Sequence, residues 1–371
     1  MFYAFVGITV VQLFYYLYFF RRVAFYQPSD KGQSQQHPVS VIICARDEDE
    51  NLARNLPGIL VQEYSTTHEV IVVNDNSLDD SKYILAELKK TFKKLEVIDL
   101  QQEAKLIAGK KYPLSIGIKE AKHEVVLLTD ADCVPATNQW LRLMQRGFAQ
   151  TSEHAPADVV VGFSAYAEAP GFLNKLIRYE TLLTAAQYLS FAWRGRAYMG
   201  VGRNLAYSRH CFSVTKGFAS HIRQLSGDDD LLVQDAVRHG LRVAVVADPP
   251  AHTLSEPAAT WAVWWHQKRR HLSAGRSYRL ADRLRVGTFV LANVLYYLAT
   301  VLLVFSPNNW VPLAVVWALR TLFVSAVYAR LSRRLHQPVI VGLLPVLDVV
   351  YFFQYLALGI SLFLNRTLRW K

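Results

Sequence analysis

The chain has 371 residues, 52% of them hydrophobic and 19% charged, an apolar balance that excludes a disordered or fibrous protein. Its net charge of +11 would suit a nucleic-acid partner if it were spread over a folded surface, but residues 266–285 and 286–371 each hold seven basic groups and one acidic group. Residues 1–265 keep 27 basic against 28 acidic groups, so the positive charge belongs to the apolar tail and no nucleic-acid partner is expected.

In chain order, residues 2–20 (FYAFVGITVVQLFYYLYFF) are uncharged. No basic residue precedes them, no small-residue cleavage site follows, and Arg21-Arg22 comes next, so a transmembrane anchor at 1–22 is expected rather than a cleaved signal. A linker at 23–38 contains the polar run QPSDKGQSQQHP. Residues 39–260 then alternate β-branched runs with helical stretches, the pattern of a mostly parallel sheet covered by helices. Strands are predicted at 39–44, 69–75, 95–100, 124–132, 158–166 and 241–248, and helices near 171–192 and 229–239. The segment 261–285 opens with WAVWWHQKRRHL, which puts Trp and basic residues where headgroups would lie, as an interfacial amphipathic helix does.

The C-terminal region 286–371 predicts three transmembrane helices, at 286–305, about 310–329 and about 338–364, with Arg320 and Asp348 as interruptions. Each of these two charges lies ten residues from the flank of its helix, at Arg330 and Pro338, hence about 15 Å deep at 1.5 Å per residue. Equal depth predicts an ion pair between them. Arg21, Arg22, the 266–285 cluster, Arg330, Arg333 and Arg334 fall on one side of such an arrangement, which makes that side, and the 39–260 domain, cytoplasmic. The terminal NRTLRWK dissents by its charge and suggests a partly interfacial last segment. Cys44, Cys133 and Cys211 lack Cys-x-x-Cys spacing and suit a reducing compartment.

The chemistry concentrates where predicted strands end. Thr129-Asp130-Ala131-Asp132 would put two carboxylates on one side of an extended chain, a pair able to hold Mg²⁺ or Mn²⁺ against a diphosphate; a solvated acidic turn is the bland alternative. Asn74-Asp75-Asn76-Ser77 closes the second strand, with Ser77 and Asp79-Asp80 placed to cap a following helix, so capping alone suffices to explain Ser77. Asp75 is free to accept the N–H of a base or a ribose hydroxyl.

From about residue 38 to 275 these segments resemble, in order, the family 2 glycosyltransferases of the GT-A fold. VSVIICARDEDENL is similar to the opening strand and nucleotide loop, VVNDNSLDDS to the second carboxylate motif, GKKYPLSIGIKEAK to the segment with a basic residue before a helix, and LLTDADC to the Asp-x-Asp motif. GVGRNLAYSR with Lys216-Gly217-Phe218 resembles the acceptor-side segment, and Gly227-Asp228-Asp229-Asp230-Leu231 the motif of the catalytic base. Gln267-Lys268-Arg269-Arg270-His271 resembles the Gln-x-x-Arg-Trp motif of membrane-bound, often polysaccharide-synthesising members, with His271 in place of Trp and Trp264 and Trp265 close by.

The resemblance implies a GT-A domain binding a nucleotide-sugar donor, uridine diphosphate foremost, through Ala45, Arg46, Glu48, Asp75, Lys110 and Asp130. Asp132 and Asp130 would hold the metal, Asp229 would act as base with Asp228 as fallback, and Gly202, Asn204, Gln267 and Arg270 would serve acceptor and diphosphate. For Lys268 and Arg269 simple attraction to the membrane surface suffices, and His252 is a weak third metal candidate. A single base implies inversion at the anomeric carbon. Tethering at both ends directs the acceptor site to the bilayer, which favours a lipid-linked or membrane-associated glycan. Processive polysaccharide synthesis, with a partner subunit or oligomer for export because four spans are few for a pore, is the alternative. Two readings from other classes stay open: a nucleotidyltransferase, which would leave the 227–231 and 267–271 segments and the anchors unexplained, and an inactive membrane scaffold, which would bind nucleotide poorly.

Overall fold

The computed structural model of the protein describes residues 1–27, 37–101, 107, 109–150 and 155–364. Most of the predicted linker and the terminal NRTLRWK lie outside the described residues. The chain gathers into two compact units, one of residues 1–27, 168–190 and 257–364, the other of the described parts of 37–167 and 191–256. Residues 168–190, which sequence reading assigns to the catalytic domain, thus cluster with the apolar helices.

The second unit is built on a seven-stranded sheet. Its strands in chain order are β1 (Val39–Ala45), β2 (His68–Asp75), β3 (Leu95–Leu100), β4 (Val125–Asp130), then β5 (Cys133–Pro135), β6 (Val159–Gly162), β7 (Ser164–Tyr166), β8 (Leu205–Ser208), β9 (Val243–Val246) and β10 (Thr253–Ser255). The large sheet runs β3-β2-β1-β4-β8-β6-β9, while β5, β10 and β7 make a small second sheet. Every pair in the large sheet is parallel except those made by β8, which runs antiparallel to both β4 and β6. The run 158–166, expected as one strand, is divided between the two sheets, and the expected strand at 241–248 shortens to Val243–Val246.

Continuous apolar runs such as Val41-Ile42-Ile43 and Val70-Ile71-Val72-Val73 suit strands covered on both faces, because burial on both sides removes any reason for polar alternation. On one face Leu52, Leu56 and Ile59 of the helix Asp49–Leu60, at helical spacing, pack with Val41, Ile43, Val70 and Val72. On the other, Gly117 of the helix Lys111–Glu120 lies against Ile42 and Val73.

The first unit carries four helices long and apolar enough to cross a membrane, Phe2–Ala24, Leu280–Val304, Pro307–Arg334 and Val341–Leu364. It also holds the helix Trp261–Ala274 and most of the helix Phe172–Trp193. Within this unit the expected pair forms: Arg320 contacts Asp348, and both are almost fully buried. Arg320 Nε donates to Gln12 Oε1 at 2.9 Å and Nη2 to Asn293 Oδ1 at 3.0 Å, while Asp348 accepts the hydroxyls of Tyr179 and Tyr297. Every polar atom this pair brings into an apolar bundle is thereby given a partner, as burial of charge requires.

Candidate active site

In the sheet order β1 lies between β2 and β4, parallel to both, so the chain leaves its carboxyl end in one direction and returns on the other side. Such a switch point opens the crevice in which open α/β sheets bind ligands. Register places Ala45 beside Asn74 and Cys44 beside Asp130, so the ends of all three strands converge there. Ala45 is buried, whereas Arg46 and Asp75 are partly exposed, with Arg46 Nη1 4.0 Å from Asp75 Oδ2.

The loops after β1 and β2 brace each other. Ser77 Oγ accepts the Asp47 N–H at 3.0 Å, Asp47 Oδ1 accepts the Leu78 N–H at 2.8 Å, and Asp79 Oδ2 accepts the Asp49 N–H at 2.9 Å. Of the residues expected to cap the helix Ser81–Thr91, Ser77 is taken up by the Asp47 N–H instead, whereas Asp79 Oδ1 accepts the Ser81 N–H at 3.0 Å. Glu48 precedes the helix Asp49–Leu60, and its carboxylate accepts from Asn51 Nδ2 at 2.6 Å.

Asp130 ends β4, but Asp132 stands outside any strand, in the turn before β5. Period-two alternation therefore does not bring the two carboxylates together; the turn does. Asp132 is held by Ser255 Oγ at 3.1 Å and Cys133 Sγ at 3.2 Å, and burial together with Asp130 pushes its carboxyl above the usual range.

Lys110 joins this pair to the second acidic motif. Its Nζ donates to Asp130 Oδ1 at 2.7 Å and lies 3.3 Å from Asp228 Oδ2. Burial pulls the ammonium down, yet Asp130 and Asp228 outweigh it and hold Lys110 protonated well above its ordinary range. Gly227, at φ +90°, makes the turn that a side chain would strain and delivers Asp228 and Asp229 to the start of the helix Asp230–Arg238. Asp229 Oδ2 accepts the Gly202 N–H at 2.9 Å and Oδ1 the Asp230 N–H at 2.8 Å. A Cβ on Gly202 would stand 3.3 Å from Lys110 Nζ, a tight contact that the lysine head would have to relieve by a few tenths of an ångström. Burial and the neighbouring Asp228 push Asp229 up to about 6, against the opposite pull of Lys110 and the two N–H groups.

Two contributors escaped sequence reading. Arg203 lies with its guanidinium 4.3 Å over the Tyr166 ring, its field acts on Asp132 and Asp130, and its buried Nη1 has no hydrogen-bond partner among the described residues. Its signal was an arginine two residues ahead of the apolar strand β8, an expensive place for a charge without a purpose. Lys111 is buried, and its Nζ donates to the carbonyls of His221, Gln224 and Ser226 at 2.8, 2.6 and 3.0 Å, fastening the loop that leads into Gly227.

Four carboxylates, Asp130, Asp132, Asp228 and Asp229, thus outnumber the cations that act on them, Lys110, Lys111 and Arg203. No group of three or more His, Cys, Asp or Glu able to hold a metal occurs among the described residues. Two carboxylates are the donor set with which Mg²⁺ or Mn²⁺ is held when substrate phosphates and water complete the shell, so the residues fit that ion. His252 does not join them: it is buried edge-on to Phe163, with Nε2 3.3 Å from the Ala247 carbonyl oxygen.

Asn204 also departs from expectation. It is fully buried, accepting from Trp140 Nε1 at 3.0 Å and donating to the carbonyls of Phe163 and Ala251 at 2.8 and 2.9 Å, so its side chain braces the core and is spent before any acceptor arrives. Gln267 and Arg270 lie on the helix Trp261–Ala274 of the first unit, both part-buried. On that helix Lys268 Nζ forms an ion pair with Glu180 at 2.9 Å, a specific partner in place of the diffuse membrane attraction expected for it.

Residues 37–274 match the family described as "Glycosyltransferase like family 2". The chain is 26% identical over 239 residues to the probable glycosyltransferase YdaM of Bacillus subtilis, covering 62% of this chain and 54% of that protein. It is 31% identical over 107 residues to the beta-monoglucosyldiacylglycerol synthase of Nostoc sp., covering 29% and 22%. The chain therefore spans about half the length of the first relative and about a fifth of the second. Among solved structures, the mannosyltransferase PcManGT from Pyrobaculum calidifontis, in complex with GDP-Man and Mn2+, superposes with a TM-score of 0.55 at 16% identity, over 89% of this chain and 97% of that one. At that identity the likeness speaks for the fold, which is GT-A. With the motif order, the switch-point site and a family match over most of the chain in agreement, this protein belongs to the family 2 glycosyltransferases.

Proposed function

We propose that the protein transfers a sugar, with inversion at the anomeric carbon, from a uridine-diphosphate sugar to a lipid-linked or membrane-associated glycan acceptor at the cytoplasmic face of a membrane. The observation that carries this reading is the Lys110 bridge, which joins the donor-side carboxylate Asp130 to the acidic pair Asp228-Asp229 around one cation. Asp75 and Arg46 at the ends of β2 and β1 would receive the nucleoside, and Lys110 and Arg203 would face the diphosphate. Asp229, raised to about 6 and held by the Gly202 N–H, is matched to taking a proton from an acceptor hydroxyl near neutral pH. Attack by that hydroxyl forms the new glycosidic bond as the bond to the diphosphate breaks, so the sugar inverts and the proton ends on Asp229. Asp130 and Asp132 would hold a Mg²⁺ or Mn²⁺ ion, which when bound would neutralise charge on the departing diphosphate.

Support for a membrane acceptor comes from the four apolar helices and from the glycolipid-synthase name of the Nostoc relative. Arg21, Arg22, Arg330, Arg333 and Arg334 beside those helices support a cytoplasmic catalytic unit. The test is incubation of the purified full chain with a panel of labelled nucleotide sugars, Mg²⁺ or Mn²⁺ and a lipid extract. Release of nucleoside diphosphate with one labelled glycolipid is expected; a ladder of products would establish the processive alternative instead. Release of pyrophosphate, or no turnover of any nucleotide sugar, would overturn the reading. Asp132→Ala should abolish metal-dependent donor binding, whereas Asp229→Asn should keep donor binding and lose transfer.

A further inference from the structure

Within the first unit a cavity of about 130 Å³ is lined by Glu168, Lys175, Arg178, Val339, Ile340 and Leu347, among others. Lys175 and Arg178 lie three residues apart on the helix Phe172–Trp193 and so share one face of it. Arg178 is 6% exposed, and although its Nη1 is 3.3 Å from Glu168 Oε1, its buried Nε has no acceptor among the described residues. Glu168 itself is exposed and lies at the cavity's edge, a partner that water can replace. Lys175 forms no ion pair among the described residues, so the cavity holds two cations against one exposed carboxylate.

The other wall has a different character. Pro338, Val339 and Ile340 link two of the apolar helices, just beyond Arg333 and Arg334, and Leu347 lies one turn inside the next span. A buried, incompletely satisfied guanidinium under an apolar lip at the end of a membrane span has the chemistry of a phosphate ester that carries an acyl tail. The guanidinium fork and the ammonium suit the phosphate oxygens, and the Val339-Ile340-Leu347 wall suits the first methylenes.

We propose that this cavity binds the headgroup phosphate of an anionic membrane phospholipid, through Arg178 and Lys175, with Glu168 as the carboxylate that the lipid phosphate displaces. The recognised group is a phosphate ester, and the apolar wall selects a lipid over free phosphate. This site does not depend on the glycosyl-transfer reading, since lipid retention and sugar transfer are measured separately.

The test is native mass spectrometry of the delipidated full chain in detergent micelles, titrated with phosphatidylglycerol, phosphatidylcholine or inorganic phosphate. One phosphatidylglycerol per chain is expected, held at least tenfold tighter than phosphatidylcholine and not displaced by equimolar inorganic phosphate. Arg178→Gln should weaken it at least tenfold and Lys175→Gln severalfold. Glu168→Gln, at an exposed position that leaves the fold intact, should tighten it severalfold by removing the competing carboxylate. Equal retention of the two lipids, displacement by equimolar phosphate, or unchanged binding in the Glu168→Gln and Lys175→Gln proteins would each overturn the proposal.

Discussion

Asp229 shows how one residue is tuned by what surrounds it. Burial and Asp228 disfavour its ionised form, and the N–H groups of Gly202 and Asp230 and the Lys110 ammonium restore part of the loss, leaving it at about 6. An acid whose folded-state pKa stands above the unfolded value binds its proton more tightly in the fold, so its ionisation costs stability. That cost is absent below the unfolded value near 3.8 and is fully in place once pH passes about 6. The base form that transfer needs is the same form that strains the fold. Transfer by the wild-type enzyme should therefore fall about tenfold per pH unit below pH 6. Asp229→Asn, whose amide oxygen can still accept the Gly202 N–H, should lower kcat by roughly 10²–10⁴ while its thermal midpoint at pH 8 stays level with or above that of the wild type. Loss of midpoint together with activity would mean that Asp229 serves the fold and not the reaction.

At the scale of elements, two adjacent lysines divide the work of assembling the site. Lys110 reaches the carboxylates, and Lys111, one position further round the start of the helix Lys111–Glu120, takes the three carbonyls of the loop 221–226. Burial draws Lys111 down to about 8, so it stays charged at neutral pH and keeps all three donors for that loop. Lys111→Met should lower kcat by roughly tenfold to a hundredfold through slight displacement of Asp228 and Asp229, with the KM for donor nearly unchanged because Lys110 and Asp130 remain. A large rise in donor KM with kcat intact would count against the clamp. The strand ends were legible in sequence because a β-branched run that stops at Asn or Asp marks both a strand and its carboxyl end, as β2 and β4 do. Asp132 was misread for a physical reason: alternation holds only while the strand continues, and the turn at Ala131 breaks it. The roles of Asn204 and Lys111 were not legible at all. Both are defined by partners such as Trp140, Phe163 and the 221–226 carbonyls, which sequence distance conceals.

For the molecule as a whole, what a sequence can reveal of a membrane bundle is depth, and depth was enough to pair Arg320 with Asp348. It could not reveal Gln12, Asn293, Tyr179 and Tyr297, because polar residues spread over three helices announce nothing about which of them face one another. Those partners decide the energetics. An ion pair away from water gains little over apolar packing when complete, but an unpaired member is a buried charge with no compensation. Asp348→Leu alone would leave the Arg320 guanidinium with only neutral oxygens, and Arg320→Leu alone would leave the Asp348 carboxylate with only the two tyrosine hydroxyls. Each single change should cost about 3–5 kcal/mol, whereas the double change Arg320→Leu with Asp348→Leu should cost markedly less than either because no charge remains to be solvated. Thermal unfolding of the four proteins in detergent micelles checks this. Single losses that simply add in the double variant would show that the two residues act independently, and the bundle would then owe its assembly to apolar packing instead of this network.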